Sequence, residues 1–154
     1  IQSLDLLGRK VSMNNGAALK QLVKLIQGSC QRASQYDSLS PLRQPLEQLL
    51  ARVSAVTLAL LGDLLSGKVN QGLANSALYL KVFGHLVIGW RWLEQAIRAE
   101  EGLARGNPAD SGFYRGKLRA ARYFLSWEVP GCQHELNLLE TRDDTCLGLQ
   151  ESWF

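Results

Sequence analysis

Residues 78–99, LYLKVFGHLVIGWRWLEQAIRA, restrict the folds open to this chain more than any other stretch. Tyr79, Val82, Phe83, Leu86, Trp90, Leu93 and Ile97 recur at steps of three, four and seven, the spacing of one stripe on an α-helix. Leu80 and Val87 widen that stripe, and Ile88 and Trp92 fall almost opposite it. A helix apolar on more than one side needs neighbours on more than one side. The spacing therefore predicts a long central helix inside an all-α domain. Nowhere do apolar and polar residues alternate between turn signals, so no β-sheet is predicted.

The rest of the chain supplies the neighbours. Residues 1–13 read as a short helix with Leu4, Leu7 and Val11 on one side, ended by the turn signal Met13-Asn14-Asn15-Gly16. A second helix is predicted over 17–33, with Leu19, Leu22, Val23 and Ile26 inward and Lys20, Lys24, Gln27 and Gln31 in water. A third runs from Ser40-Pro41, a capping serine followed by a first-turn proline, to Leu65. Leu42, Leu46, Leu49, Val53, Val56, Leu60 and Leu64 form its stripe, and its Leu and Ala content invites close packing on another long helix. Gly67 is the expected left-handed stop. The central helix is expected from about Asn70 to Ala104, with Gly84 and Gly89 marking close neighbours and Glu94–Arg98 paired on the wet side.

After the break at Arg105-Gly106-Asn107-Pro108, Asp110 or Ser111 is expected to cap a fifth helix over 112–129. Its buried stripe is Tyr114, Leu118, Ala121 and Leu125. Pro130-Gly131 ends or kinks it, and residues 132–141 form a sixth helix with Leu136 and Leu139 inward. Residues 142–154 are a tail whose apolar end, Trp153-Phe154, is expected to dock on this or another domain. The reading is one antiparallel bundle of five to six helices over residues 1–154, because short loops favour antiparallel neighbours.

With 154 residues there is room for one real core. A net charge of +3 does not call for nucleic acid. The longest uninterrupted apolar runs, such as residues 56–61, are too short to span a bilayer. Cys30, Cys132 and Cys146 are an odd count without paired spacing, which suits free thiols and a cytoplasmic location. The chain opens on Ile1 and its one methionine is Met13, so it is expected to be a fragment of a longer polypeptide.

Little in the residues builds a reaction centre. His85 lacks a second histidine or carboxylate one turn away and reads as a hydrogen-bonded structural histidine. Cys132, His134 and Cys146 offer three metal donors without zinc spacing or a fourth ligand. Arg115, Arg119 and Arg122, with Lys117 nearby, make one helix strongly basic; a solvated or carboxylate-paired face is weighed against a site for phosphates or an acidic patch. Trp90, Trp92, Tyr123, Phe124 and Trp127 sit at helical spacing, which favours packing over a ligand cavity. No residue is assigned a catalytic, cofactor-binding or metal-ligating role.

Two segments resemble a known family. Residues 1–11, IQSLDLLGRKV, are similar to the segment after the catalytic loop of acyl-CoA dehydrogenases, in the subgroup that has an extra C-terminal helical domain and includes methylthiopropanoyl-CoA dehydrogenase-like enzymes. Residues 79–85, YLKVFGH, and 113–124, FYRGKLRAARYF, resemble that domain's pattern, and the end of the chain, from Cys146-Leu147-Gly148-Leu149 to Trp153-Phe154, is like the family's end. The resemblance implies an FAD-dependent parent that oxidises acyl-CoA across Cα and Cβ. It also implies that the glutamate base lies before Ile1, outside this chain. The expected role is therefore that of a C-terminal structural or oligomerisation domain. FAD and acyl-CoA would be held by the parent, and the partners would be its other domains and further copies of the parent. The alternative is a free-standing module whose basic helix binds an acidic partner or RNA.

Overall fold

Helix is the regular structure of the described residues, 1–153, in a computed structural model of the chain. Seven α-helices follow one another: α1 (Gln2–Asp5), α2 (Met13–Ala33), α3 (Ser40–Leu65), α4 (Val69–Leu73), α5 (Ser76–Ala104), α6 (Pro108–Tyr123) and α7 (Gln133–Thr141). Among the described residues there is no strand. The all-α expectation holds, with α1 and α4 amounting to little more than single turns.

The predicted stripe of α5 is the centre of the core. Tyr79, Val82, Leu86, Leu93 and Ile97 are buried, with Phe83 and Trp90 packed against them. Contacts along α5 give its neighbours' directions. Thr57 meets Tyr79 while Leu46 approaches Gly89, so α3 runs antiparallel to α5. Tyr114 lies on Gly102 while Leu125 approaches Gly89, so α6 is antiparallel as well. Trp90 bonds to Ser29 and, one turn on, Glu94 bonds to Arg32, so α2 is parallel to α5. α7 closes the bundle. Arg52 grips Glu140 with two bonds of 2.8 Å and Asn137 with one of 2.9 Å, and Arg142 bonds to Asp63 at 3.1 Å.

Several boundaries differ from the sequence reading, each for a local reason. The first turn of α2 is left-handed at Asn14, Asn15 and Gly16 (φ 50°, 55° and 72°), so right-handed helix begins at Ala17 as predicted. Ser40 does not cap α3; Leu39 occupies that position, since a short 3₁₀ turn at Asp37–Leu39 leads into the helix. Gly67 does stop α3, at φ 84°, with the Lys68 amide donating back to the Asp63 carbonyl at 2.9 Å. The central helix does not start at Asn70. It is interrupted after α4, where the Asn75 side chain donates to the Asp143 carbonyl at 2.7 Å and Gly72 lies against Leu64. α6 is capped neither by Asp110 nor by Ser111 but by Asn107, whose side chain accepts from the Ala109 amide at 3.2 Å, with Pro108 in the first turn. Glu94 and Arg98 do not pair: Glu94 turns to Arg32 of α2, and Arg98 bonds to Glu101 at 2.8 Å.

The predicted fifth helix is not α-helical to its end. Phe124–Glu128 is a π turn, with the Val129 amide donating to the Phe124 carbonyl five residues back at 3.1 Å. Leu6–Lys10 is a second such turn, closed by Val11 donating to Leu6 at 3.0 Å. Of the glycines expected to admit neighbours, Gly89 does, since a Cβ there would meet Leu125 at 3.2 Å and Leu46 at 3.3 Å. Gly84 faces open space. Gly102, which the spacing did not single out, is the tightest: a Cβ would lie 2.3 Å from the Tyr114 ring.

Candidate functional site

The candidate residues separate into packing groups and two bare surfaces. His85 is a packing group, as expected: its Nδ1–H donates to the Lys81 carbonyl at 2.9 Å and its ring stacks on Phe124 at 5.8 Å. Cys132, His134 and Cys146 are not brought together. Cys132 is buried with its thiol toward the Glu128 carbonyl, while His134 and Cys146 are exposed. Among the described residues no three such donors converge. Cys30 is buried beside a groove of about 700 Å³ between α2 and α3, and burial pushes its thiol pKa up to about 11, which leaves it protonated and unreactive near neutral pH.

The aromatic residues do not enclose a cavity. Trp90 is locked by its indole N–H, which donates to Ser29 Oγ at 2.7 Å. Ser29 then has one hydrogen left, for the Leu25 carbonyl or for Glu94, and Arg32 holds Glu94 from the outer side. This polar seam joins α2 to α5. Trp92 carries Lys117 over its face at 5.7 Å. Tyr123 and Trp127 stack on each other at 6.4 Å in the open, Trp127 being 74% exposed. Glu135 was missed in the sequence. It is buried on the inner side of α7 and paired with Lys81, which lowers its carboxyl pKa. A lone glutamate between His134 and Leu136 gave no signal that a lysine on another helix would meet it.

The first bare surface is the outer side of α3. Ala51, Ala55, Leu58, Gly62 and Leu65 are all exposed and recur at steps of four and three. Leu58 is 71% and Leu65 90% exposed. That is the seam pattern of a helix packed against another helix, with small residues that allow close approach. The opposite side of α3 is in the core through Leu42, Leu46, Leu49, Val53, Val56 and Leu60. By length and hydropathy alone, the helical stretch from Asp37 to Leu65 is sufficient to cross a membrane, but a core helix passes the same test.

The second is the basic side of α6. Arg115, Arg119 and Arg122 are exposed and line a cleft of about 330 Å³ at the start of α3. Among the described residues none of the three has a carboxylate within 4.0 Å, so the carboxylate-paired reading of this face does not apply.

The family model described as acetyl-CoA dehydrogenase C-terminal like matches residues 22–150. The chain belongs to that family. Its FYRGKLRAARYF and YLKVFGH segments, which carried the resemblance, both lie within the matched span. Two curated relatives are similar along nearly all of it. One is a broad-specificity linear acyl-CoA dehydrogenase, FadE5, of Mycobacterium tuberculosis, 29% identical over 100% of this chain and 26% of its own length. The other is a 3-methylmercaptopropionyl-CoA dehydrogenase of Ruegeria pomeroyi, 29% identical over 96% of this chain and 25% of its own length. This acetyl-CoA dehydrogenase C-terminal-like chain thus spans about a quarter of the length of the curated relatives it matches.

Proposed function

We propose that this chain is the C-terminal structural domain of a longer, FAD-dependent acyl-CoA dehydrogenase, and that it docks on the rest of its polypeptide through the outer side of α3. The observation that carries this reading is the stripe from Ala51 to Leu65: apolar, uncharged and uncovered on a helix whose other side is already core. Burying two exposed leucines such as Leu58 and Leu65 is worth roughly 1.5–3 kcal/mol each, which favours a covered state. The names of the two relatives and the matched family support an acyl-CoA substrate for the whole polypeptide.

The proposed reaction removes a proton from Cα and a hydride from Cβ of the thioester, leaving a trans double bond. FAD would accept the hydride. The resemblance implies a flavin site in other domains of the parent, and the arginine cleft, at about 330 Å³, is too small to enclose a dinucleotide. Flavin, glutamate base and acyl pocket are therefore assigned to segments outside this chain. The domain's share is to hold those segments together, within one subunit or between copies, in a cytoplasmic enzyme.

An antibody against this chain tests the proposal by recovering the native polypeptide from its source. The expected product is several times longer than 154 residues, yellow, and bleached by added acyl-CoA. A colourless polypeptide of this length would overturn the reading.

A further inference from the structure

The cleft at the start of α3 combines four features that solvation of a charged face does not explain. Arg115, Arg119 and Arg122 rise along one side of α6 over about 10 Å, at about 1.5 Å per residue, and all three reach the same concavity. None is neutralised by a carboxylate within 4.0 Å among the described residues, whereas Arg9, Arg32, Arg43, Arg52, Arg98 and Arg142 are; Arg91 and Arg105, away from the cleft, are unpaired too. The floor is apolar, made by Leu39, Leu42 and Leu118. The facing wall is made by Ser38 and Pro41 at the start of the 26-residue helix α3, which turns this basic side into a concavity.

One carboxylate is present and is not directed at the arginines. Glu100 lines the same cleft and accepts from the Ser38 hydroxyl at 2.5 Å. A bare phosphate would gain nothing from Glu100. A ligand that also carries hydroxyl or amino groups would, since they can donate to its free lone pairs. Lys117 is diverted over the Trp92 and Phe113 rings, so the cleft's own cations are the three arginines, whose planar donors suit phosphate oxygens.

We propose that this cleft binds the phosphate-bearing end of a nucleotide, with the phosphates on Arg115, Arg119 and Arg122, the base over Leu39, Leu42 and Leu118, and sugar or base donors on Glu100. A concave site with an apolar floor and few polar groups suits a small ligand better than a nucleic-acid strand, and the overall charge of +3 adds little general attraction for polyanions. Two sources share this chemistry: a free nucleotide, and the 3′-phosphorylated adenosine end of an acyl-CoA. The second source rests on the dehydrogenase reading above; the first does not.

Calorimetric titration of the 154-residue chain with adenosine 3′,5′-bisphosphate, ADP and inorganic phosphate tests this, with amide NMR to place the ligand. Saturable binding of the nucleotides is expected, shifting amides in 38–42 and 115–122. Arg119→Gln is expected to weaken it about tenfold or more, as loss of one charged hydrogen bond would. Arg91→Gln, remote from the cleft, should leave it unchanged, and circular dichroism should show both variants folded. Tighter binding of the bisphosphate than of ADP assigns the cleft to the acyl-CoA end; equal binding assigns it to free nucleotides. The proposal is overturned by no binding at about 10 mM nucleotide, by inorganic phosphate binding as tightly as the nucleotides, or by binding indifferent to Arg119→Gln. It is also overturned if an RNA oligomer binds and neither mononucleotide does. None of those results touches the length and colour of the recovered polypeptide, so the two proposals fail separately.

Discussion

α3 and α5 are the two longest helices, and both are apolar on two sides, yet they end in different surroundings. α5 is covered by α2, α3, α6 and α7, and its second apolar side finds Trp92 under Lys117 while Ile88 stays 48% exposed. α3 is covered on one side and leaves Leu58 and Leu65 in water on the other. Apolar periodicity states that a helix face will be covered; it does not name the cover. Where the chain itself supplies the cover, the face is core. Where it does not, as at Leu58 and Leu65, the face stays in water within this chain.

The difference can be tested by substitution. Leu93, wholly buried on α5, should cost about 3 kcal/mol when truncated to Ala, read by urea denaturation. Gly102→Ala should follow at about 2 kcal/mol, because its Cβ must displace the Tyr114 ring. Adding Tyr114→Ala should recover much of that loss, which places the cost in the clash with the ring, since alanine is the better helix former at this position. Next is the buried pair on which α3 and α5 meet. Thr57 donates to the Val53 carbonyl at 2.7 Å, so the Tyr79 hydroxyl donates to Thr57, also at 2.7 Å. Tyr79→Phe should cost about 1 kcal/mol.

That pair also carries a pH signature. Burial pushes the Tyr79 pKa up from 10.0 to about 12, despite the Thr57 bond. The folded chain therefore holds this proton more tightly than the unfolded chain. The stabilisation is complete below pH 10 and is lost as pH rises toward 12, so Tyr79→Phe should flatten the alkaline fall in stability. The smallest effect is expected on the outer side of α3. Leu58→Asn with Leu65→Asn should change the stability of this chain by no more than about 0.5 kcal/mol. A loss as large as that of Leu93→Ala would abolish the contrast between the two helices.

Much of this was legible in the sequence because helical spacing reports burial directly. The α5 stripe, the inner side of α3, the inward Leu136 and Leu139 and the Gly67 stop all lie where the spacing placed them. What could not be read were choices between local and distant partners. Glu94 had a suitable partner in Arg98 one turn away, but Arg32 and Ser29 on α2 took it. Asn75 reads as an ordinary helix residue until the Asp143 carbonyl arrives from the far end of the chain. The candidate cleft was half legible. The arginine spacing gave the basic side of α6, but its floor comes from Leu39 and Leu42, more than 70 positions earlier in the chain, and nothing in their neighbourhood signals it.

The π turn at Phe124–Glu128 bears on how this chain can change length. Such a turn stores one residue more than an α-helix needs over the same path. Deleting a single residue there would let the backbone relax into uninterrupted α-helix, a gentle change for the hydrogen bonds. Because the turn already absorbs that residue, the same deletion would leave everything downstream in register with α6, whereas a deletion inside α6 itself would turn it by about 100°. Only that second deletion would take Val129, Cys132, Leu136 and Leu139 out of the core together and swing Glu135 away from Lys81. In genetic terms the segment is a register buffer: free to vary in the identity of exposed residues such as Ser126 and Trp127, and open to the loss of one residue that α6 could not lose.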